Sequence, residues 1–144
     1  MPAKKACVFC RIVQGELPCS RLFEDPRFLA FLDHSPRFAG HCLLIPRQHV
    51  ETLLDLPPAL GASLIEGAQR LGRAVEAGLG AGGFFVAVNN RISQSVPHLH
   101  VHIIPRHQGD DFRALYWPRH RYAEGEEEQV RQAIVAALPP PHDQ

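Results

Sequence analysis

The chain has 144 residues, a length that suits one domain, and 45% of them are hydrophobic, enough to bury a real core. Its 15 Lys and Arg balance 15 Asp and Glu, which argues against a nucleic-acid polymer as partner and gives no electrostatic reason to sit on a membrane. No stretch approaches the roughly 20 apolar residues that a bilayer span needs.

Residues 1–6 are short and polar and do not read as a secretory signal, so a cytoplasmic location is expected. Phe28-Leu-Ala-Phe-Leu32, bounded by Asp25-Pro26 and Asp33, predicts a buried strand. His41-Cys-Leu-Leu-Ile45, between Gly40 and Pro46, predicts a second. Pro57 and Pro58 suit a helix start. Leu60, Leu64, Ala68, Leu71, Val75 and Leu79 then form one apolar stripe, which Gly80, Gly82 and Gly83 bring to an end. Phe84 to Val88 is a third strand, and His98 to Ile104, closed by Pro105, a fourth. Ala123 to Leu138 predicts a second helix whose acidic first turn suits the helix dipole. Pro139 to Pro141 predict a frayed end. Strands before and after one long helix imply an α+β domain with an antiparallel sheet. We expect a single domain over 1–144, its core at about 7–106 and a helical extension over 107–144.

Chemistry concentrates in Gln94-Ser-Val-Pro-His98-Leu-His100-Val-His102. Side chains alternate along a strand, so His98, His100 and His102 share one face while Leu99, Val101 and Ile103 share the other. Clustered titratable groups of this kind mark a site. A neutral imidazole is a good nucleophile near pH 7, and its attack on phosphorus splits one difficult displacement into two easier ones. Ser95, Gln94, Asn89 and His102 supply donors for the phosphoryl oxygens. A catalytic zinc on a His-x-His pair is the rival reading. No Gly-x-x-x-x-Gly-Lys phosphate loop is present. Cys7-x-x-Cys10 is a short-span ligand pair; a structural zinc needs two further nitrogen or sulfur ligands, and two buried free thiols are the alternative. Cys19 and Cys42 have no partner spacing.

The chain resembles the histidine triad family, in its zinc-bearing bacterial-type branch. The resemblance rests on His98-Leu-His100-Val-His102-Ile-Ile104 and on Cys7-Val-Phe-Cys10-Arg-Ile, Gly15-Glu-Leu-Pro18, Leu29-Ala-Phe-Leu-Asp33, Gly40-His-Cys-Leu-Leu-Ile-Pro46-Arg-Gln-His49 and Gln94-Ser95. It implies an α+β fold with an antiparallel meander sheet of about five strands, one long helix and one C-terminal helix, usually in a homodimer. It also implies a nucleotidyl hydrolase or transferase acting on a nucleoside phosphoramidate or a dinucleoside polyphosphate of adenine or guanine. His100 would be the nucleophile and His102 would contact the α-phosphate. Ser95, Gln94 and Asn89 would hold phosphate or leaving group, and Asp33 the ribose hydroxyls. Phe9, Ile12 and Phe31 would enclose the base, and His41 would help set the triad's hydrogen bonds. His49 and His98 would complete a structural zinc site with Cys7 and Cys10, giving His98 a structural part beside its place in the triad. No organic cofactor is implied. A nucleotide-binding scaffold with little turnover, or a zinc-dependent hydrolase, remains open. The chain departs from many relatives at Asn90-Arg-Ile-Ser93, where they have a glycine-rich turn. Tyr116-Trp117-Pro118-Arg119 lies beyond the shared core; it could close over the site, and Arg113 or Arg119 could reach phosphates, although a packed surface loop is the simpler expectation.

Overall fold

Phe28-Leu-Ala-Phe-Leu32 is apolar at both parities, as a strand covered on both faces must be. In the computed structural model, which describes residues 4, 6–113 and 119–141, this is strand β2 (Phe28–Leu32). Phe28 and Ala30 join a core with Leu64, Leu71 and Val75 of helix α2 (Gly61–Leu79). Leu29 and Phe31 join a second core with Phe9, Cys10 and Ile12 of helix α1 (Val8–Val13). Each fully buried side chain of this size is worth about 1.5–3 kcal/mol over exposure, so the strand is held from both sides.

Five strands make one sheet: β1 (Arg21–Glu24), β2, β3 (Cys42–Pro46), β4 (Gly83–Ala87) and β5 (Val101–Arg106). Their spatial order is β1-β2-β3-β5-β4, and every neighbouring pair is antiparallel. The first three run as a meander. Helix α2 then carries the chain to the far edge, and β5 returns into the gap between β3 and β4. Leu43 pairs with His102, and Leu44 with Val101. That register turns His102 toward the α1 side, while Val101 and Ile103 enter the α2 core.

Two local differences from expectation have physical causes. The histidine strand begins at Val101, not His98. Before that point the Leu99 N–H bonds Val50 O at 2.8 Å and the His98 N–H bonds Val96 O at 2.8 Å, so neither joins the ladder. The stripe of α2 ends a turn early: Leu79 is half exposed, and Gly80 closes the helix at φ +67. Helix α1 and strand β1 are also present, each too short for its period to show.

Gly67 lets α2 lie close on the sheet. A Cβ there would stand 2.9 Å from Cδ2 of the fully buried Leu44. Gly67→Val is expected to destabilise the chain by about 2 kcal/mol or more through overpacking. A thermal melt that matches the wild type would contradict this packing.

The chain forms two compact units, Met1–Asp110 and Asp111–Gln144. The second holds helix α3 (Glu126–Ala137), with three acidic residues in its first turn. Glu126 Oε1 accepts from the Ala123 N–H, and Glu128 pairs with Arg131. Arg113 pairs with Asp111 at 3.1 Å. Tyr116, Trp117 and Pro118 lie outside the described residues. Among the described residues no helix is long and apolar enough to cross a membrane.

Candidate functional site

The three histidines of the motif have different surroundings, and their hydrogen bonds fix where each proton sits. A carbonyl oxygen can only accept, so His100 donates from Nδ1 to His98 O at 2.8 Å. The lone pair of a neutral His100 is then on Nε2. The ring is buried, with Phe9 edge-on at 5.2 Å and His102 at 5.0 Å between centroids.

His102 is oriented from behind by His41. Gly40 precedes it at φ +92, with Leu79 and Pro105 against the place of a Cβ. Glycine is therefore required there, and the tight turn brings the His41 ring under the sheet. The backbone N–H of Arg37 donates to His41 Nδ1 at 3.0 Å. A neutral His41 must then carry its proton on Nε2, which lies 2.9 Å from His102 Nδ1. His102 accepts there and keeps its own proton on Nε2, ready to donate.

Burial, then the neighbouring His100 and His41, hold His102 at about 4 instead of the usual 6.5. Burial also lowers His41, against the opposing pull of Asp33. Both rings are thus neutral when folded, whereas free imidazoles take up protons near 6.5. Since the unfolded chain binds more protons in that range, this stabilisation is complete above about 6.5 and is lost as the pH falls toward 4. Urea denaturation at pH 7.5 and pH 5 should show the lower midpoint at pH 5. A higher midpoint at pH 5 would contradict the neutral pair.

A cavity of about 720 Å³ on the α1 side is lined by Ile12, Phe31 and Asp33, together with Leu17, Cys19 and His34. It unites the expected ribose acceptor with two of the expected base contacts. Phe9 is placed otherwise: it is buried between Phe31 and His100 and does not line this cavity. Asp33 has two uses. Its Oδ1 caps the turn by accepting from Ser35 N–H at 2.9 Å, and its Oδ2 lies 3.6 Å from His41 Nε2. Leu17 and Cys19 escaped the sequence reading, because nothing in their spacing signals that they line the cavity.

The loop before the triad is held by its own amides. Gln94 Oε1 accepts from Arg91 N–H at 2.8 Å, and Gln94 Nε2 donates to Glu51 O. Asn90 Oδ1 accepts from Leu53 N–H at 2.7 Å. Arg91 and Ser93 take left-handed conformations, φ +70 and +60, where glycine would be free of strain. Gln94 therefore shapes the loop. Asn89 is exposed, as is Ser95, which lines a cavity of about 320 Å³ beside His49 and Glu51.

Among the described residues two groups of side chains have the donor types of a metal site: Cys7, Cys10, His49 and His98, and Asp33, His41 and His102. Tautomers separate them. His98 donates from Nε2 to Pro46 O at 2.8 Å, leaving the Nδ1 lone pair facing Cys7 Sγ at 3.4 Å and Cys10 Sγ at 3.6 Å. His49 Nδ1 is 3.2 Å from Cys10 Sγ. Bonds of about 2.3 Å to sulfur and 2.0–2.1 Å to nitrogen make tetrahedral edges of about 3.5 Å, so these residues fit a closed four-ligand zinc site. All four are buried, as a structural site requires. His49 Nε2 is buried and has no partner among the described residues. Both nitrogens of His98 are thus engaged, Nε2 with Pro46 O and Nδ1 toward the two sulfurs. In the second group the Arg37 N–H forces the His41 proton onto the very nitrogen that a metal would need. That group is a hydrogen-bond chain, not a ligand set.

Residues 14–109 match the family model of the HIT domain. The chain is 36% identical over 115 residues to adenosine 5′-monophosphoramidase hnt1 of Schizosaccharomyces pombe, covering 78% of this chain and 84% of that protein. It is 40% identical over 106 residues to adenylylsulfatase HINT3 of Arabidopsis thaliana, covering 72% of this chain. That alignment spans 54% of the Arabidopsis protein, about half its length. The crystal structure of a Zn-bound histidine triad family protein from Mycobacterium smegmatis superposes with a TM-score of 0.71 at 38% identity, covering 91% of this chain and 94% of that one.

Proposed function

This chain belongs to the histidine triad family, and from that premise we propose that it cleaves nucleotides at the α-phosphate through a nucleotidyl adduct on His100 Nε2. The single observation that carries the reading is the His100 Nδ1 bond to His98 O, which leaves Nε2 as the nucleophilic nitrogen. Attack from Nε2 forms a P–N bond as the bond to the leaving group breaks, and the electron pair departs with that group. Water or another acceptor then attacks phosphorus, the pair of the P–N bond returns to the ring, and the proton the acceptor gives up balances the one the leaving group takes. Two easier displacements replace one.

Other residues serve this step. His102 Nε2–H donates to a phosphoryl oxygen where negative charge gathers. Ser95 and Asn89 add donors on the leaving-group side. Asp33 accepts from the ribose, and Ile12 and Phe31 wall the base. The substrates we infer are a nucleoside phosphoramidate or a dinucleoside polyphosphate of adenine or guanine. The phosphoramidase and adenylylsulfatase names of two relatives support a bond at the α-phosphate.

Zinc on Cys7, Cys10, His49 and His98 would tie α1 to the segment before β5. It would supply rigidity there and no chemistry. A homodimer belongs to the same reading: Phe84 and Val86 are exposed on β4, which lies at the edge of the sheet. A reducing, cytoplasmic setting suits four free cysteines.

The test is mass spectrometry of the intact protein after brief mixing with a panel of phosphoramidates and dinucleoside polyphosphates. The expected result is an added nucleotidyl mass that maps to His100. Tight nucleotide binding with neither adduct nor turnover would favour a scaffold instead.

A further inference from the structure

The α2 side of the sheet is left unfilled at one end. A cavity of about 540 Å³ lies there between helix α2 and strands β1, β2 and β3. Its floor is Leu71 and Val75 of α2 with Cys42 of β3, all buried. Leu22, Leu32 and Leu79 line it while staying 37%, 45% or 50% exposed in the order Leu32, Leu22, Leu79. Ala74 and Gly78, one turn apart on α2, are too small to close it, and a Cβ at Gly78 would meet nothing within 4 Å.

Two observations give the chemistry of an occupant. The floor asks for no polar partner, because its one polar side chain, Cys42, donates its thiol proton to Gly40 O at 3.0 Å. Burial pushes that thiol up to about 11, so it stays uncharged. The exposed side carries one cation. Arg70 lies with its guanidinium 4.2 Å over the Phe23 ring, and among the described residues it makes no ion pair. Stacking on an aromatic face leaves the in-plane N–H donors of a guanidinium open. Arg70 is the only charged residue lining the cavity, so a ligand with a single negative charge matches it.

We propose that this cavity is a binding site for a medium-chain carboxylate, with the hydrocarbon inside and the carboxylate on Arg70. The volume falls within the range of about 300–1,000 Å³ in which small-molecule sites lie. A carboxylate takes two parallel N–H bonds from a guanidinium, and an apolar chain supplies the contacts that Ala74 and Gly78 leave unmade. The site is separate from the nucleotide cavity. The sheet lies between them, with Phe28 and Ala30 turned to α2 and Leu29 and Phe31 to α1. The two cavities share only Leu32, at the end of β2. The proposal therefore stands apart from the nucleotidyl reading.

The test is calorimetric titration of the full chain, as purified, with hexanoate, octanoate and decanoate below their micelle concentrations. Kd should fall about fourfold with each added CH₂, and decanol should bind about fivefold more weakly than decanoate. Arg70→Gln should remove that fivefold preference. Gly78→Leu puts a side chain into the open space and suits a helix better than glycine. It should abolish binding with a melting temperature no lower than wild type, and Ala74→Phe is the second variant that fills the cavity. Methyl NMR with decanoate should shift Leu22, Val75 and Leu79 and leave Ile12 and Leu17 in place.

No saturable binding of decanoate overturns the proposal, as does an affinity that ignores chain length or decanol bound as tightly as decanoate. Shifts confined to Ile12 and Leu17 would move the ligand to the nucleotide cavity and overturn it too. So would binding that persists in both filled variants.

Discussion

His100→Asn is expected to lower kcat by at least about 10⁴-fold, the scale on which removal of a nucleophile is felt, while the protein stays folded and still binds nucleotide. Asparagine is the informative replacement. Its amide can donate to His98 O, as the Nδ1–H of His100 does at 2.8 Å, so the backbone before β5 keeps its tie. What disappears is the lone pair on Nε2. The site around it remains: Phe9 still covers that face, and His102 still presents its donor. The expected record is a melting temperature within a few degrees of wild type, no nucleotidyl adduct by mass spectrometry, and retained affinity for a nucleoside monophosphate. Turnover near the wild-type rate would remove His100 from the mechanism. Loss of turnover together with a collapsed melting curve would make the change structural, and His100→Gln would then be the variant to measure.

The second large effect is expected at the cysteine pair. Purified protein should carry one zinc per chain, and Cys10→Ser should release it and lower the melting temperature by about 10 °C or more. Cys10 lies in the α1 core, and its sulfur faces both His49 and His98. Removing one ligand leaves the remaining donors buried without their ion, and the link between α1 and the approach to His100 is cut. The order of events discriminates between roles. A structural zinc predicts that chelation lowers stability first and that activity follows the unfolding curve. A catalytic zinc predicts activity lost from a chain whose melt is unchanged. Absence of bound zinc with an unaltered melt in Cys10→Ser would leave the four side chains as a packed thiol and imidazole cluster.

How far the site was readable depends on how local its causes are. The alternation of His98, His100 and His102 is a property of neighbouring residues. It marked this segment as the candidate site, although the ladder itself starts only at Val101. The apolar run of β2 announced its own two-sided burial. Strand β1 stayed hidden because Leu22 and Phe23 are flanked by Arg21 and Glu24, and four residues are too few to display a period. Helix α1 is six residues long and takes its cap from the Cys7 sulfur, so the same residues read first as a ligand pair. Gln94 read as a phosphate donor because an amide beside a serine and the triad suits that use; only the fold revealed that Arg91 N–H and Glu51 O already take it up.

From residue order alone came the α+β class, the long helix, the histidine face, the cysteine pair and Asp33 as a candidate. These follow from periodicity and from side-chain type, which need no knowledge of distant neighbours. The tertiary structure decided which partner each imidazole nitrogen faces, and on those contacts rest the roles we propose for each histidine. Those assignments turn on Pro46 O for His98, His98 O for His100 and the Arg37 N–H for His41. The last acts on His102 from 65 positions away, because β3 and β5 pair side by side. A proton's place on a ring is set by whichever group the fold brings within hydrogen-bonding distance; of those three contacts the one from Pro46 O joins residues 52 positions apart, and the effect of Arg37 on His102 passes through the His41–His102 contact, 61 positions apart.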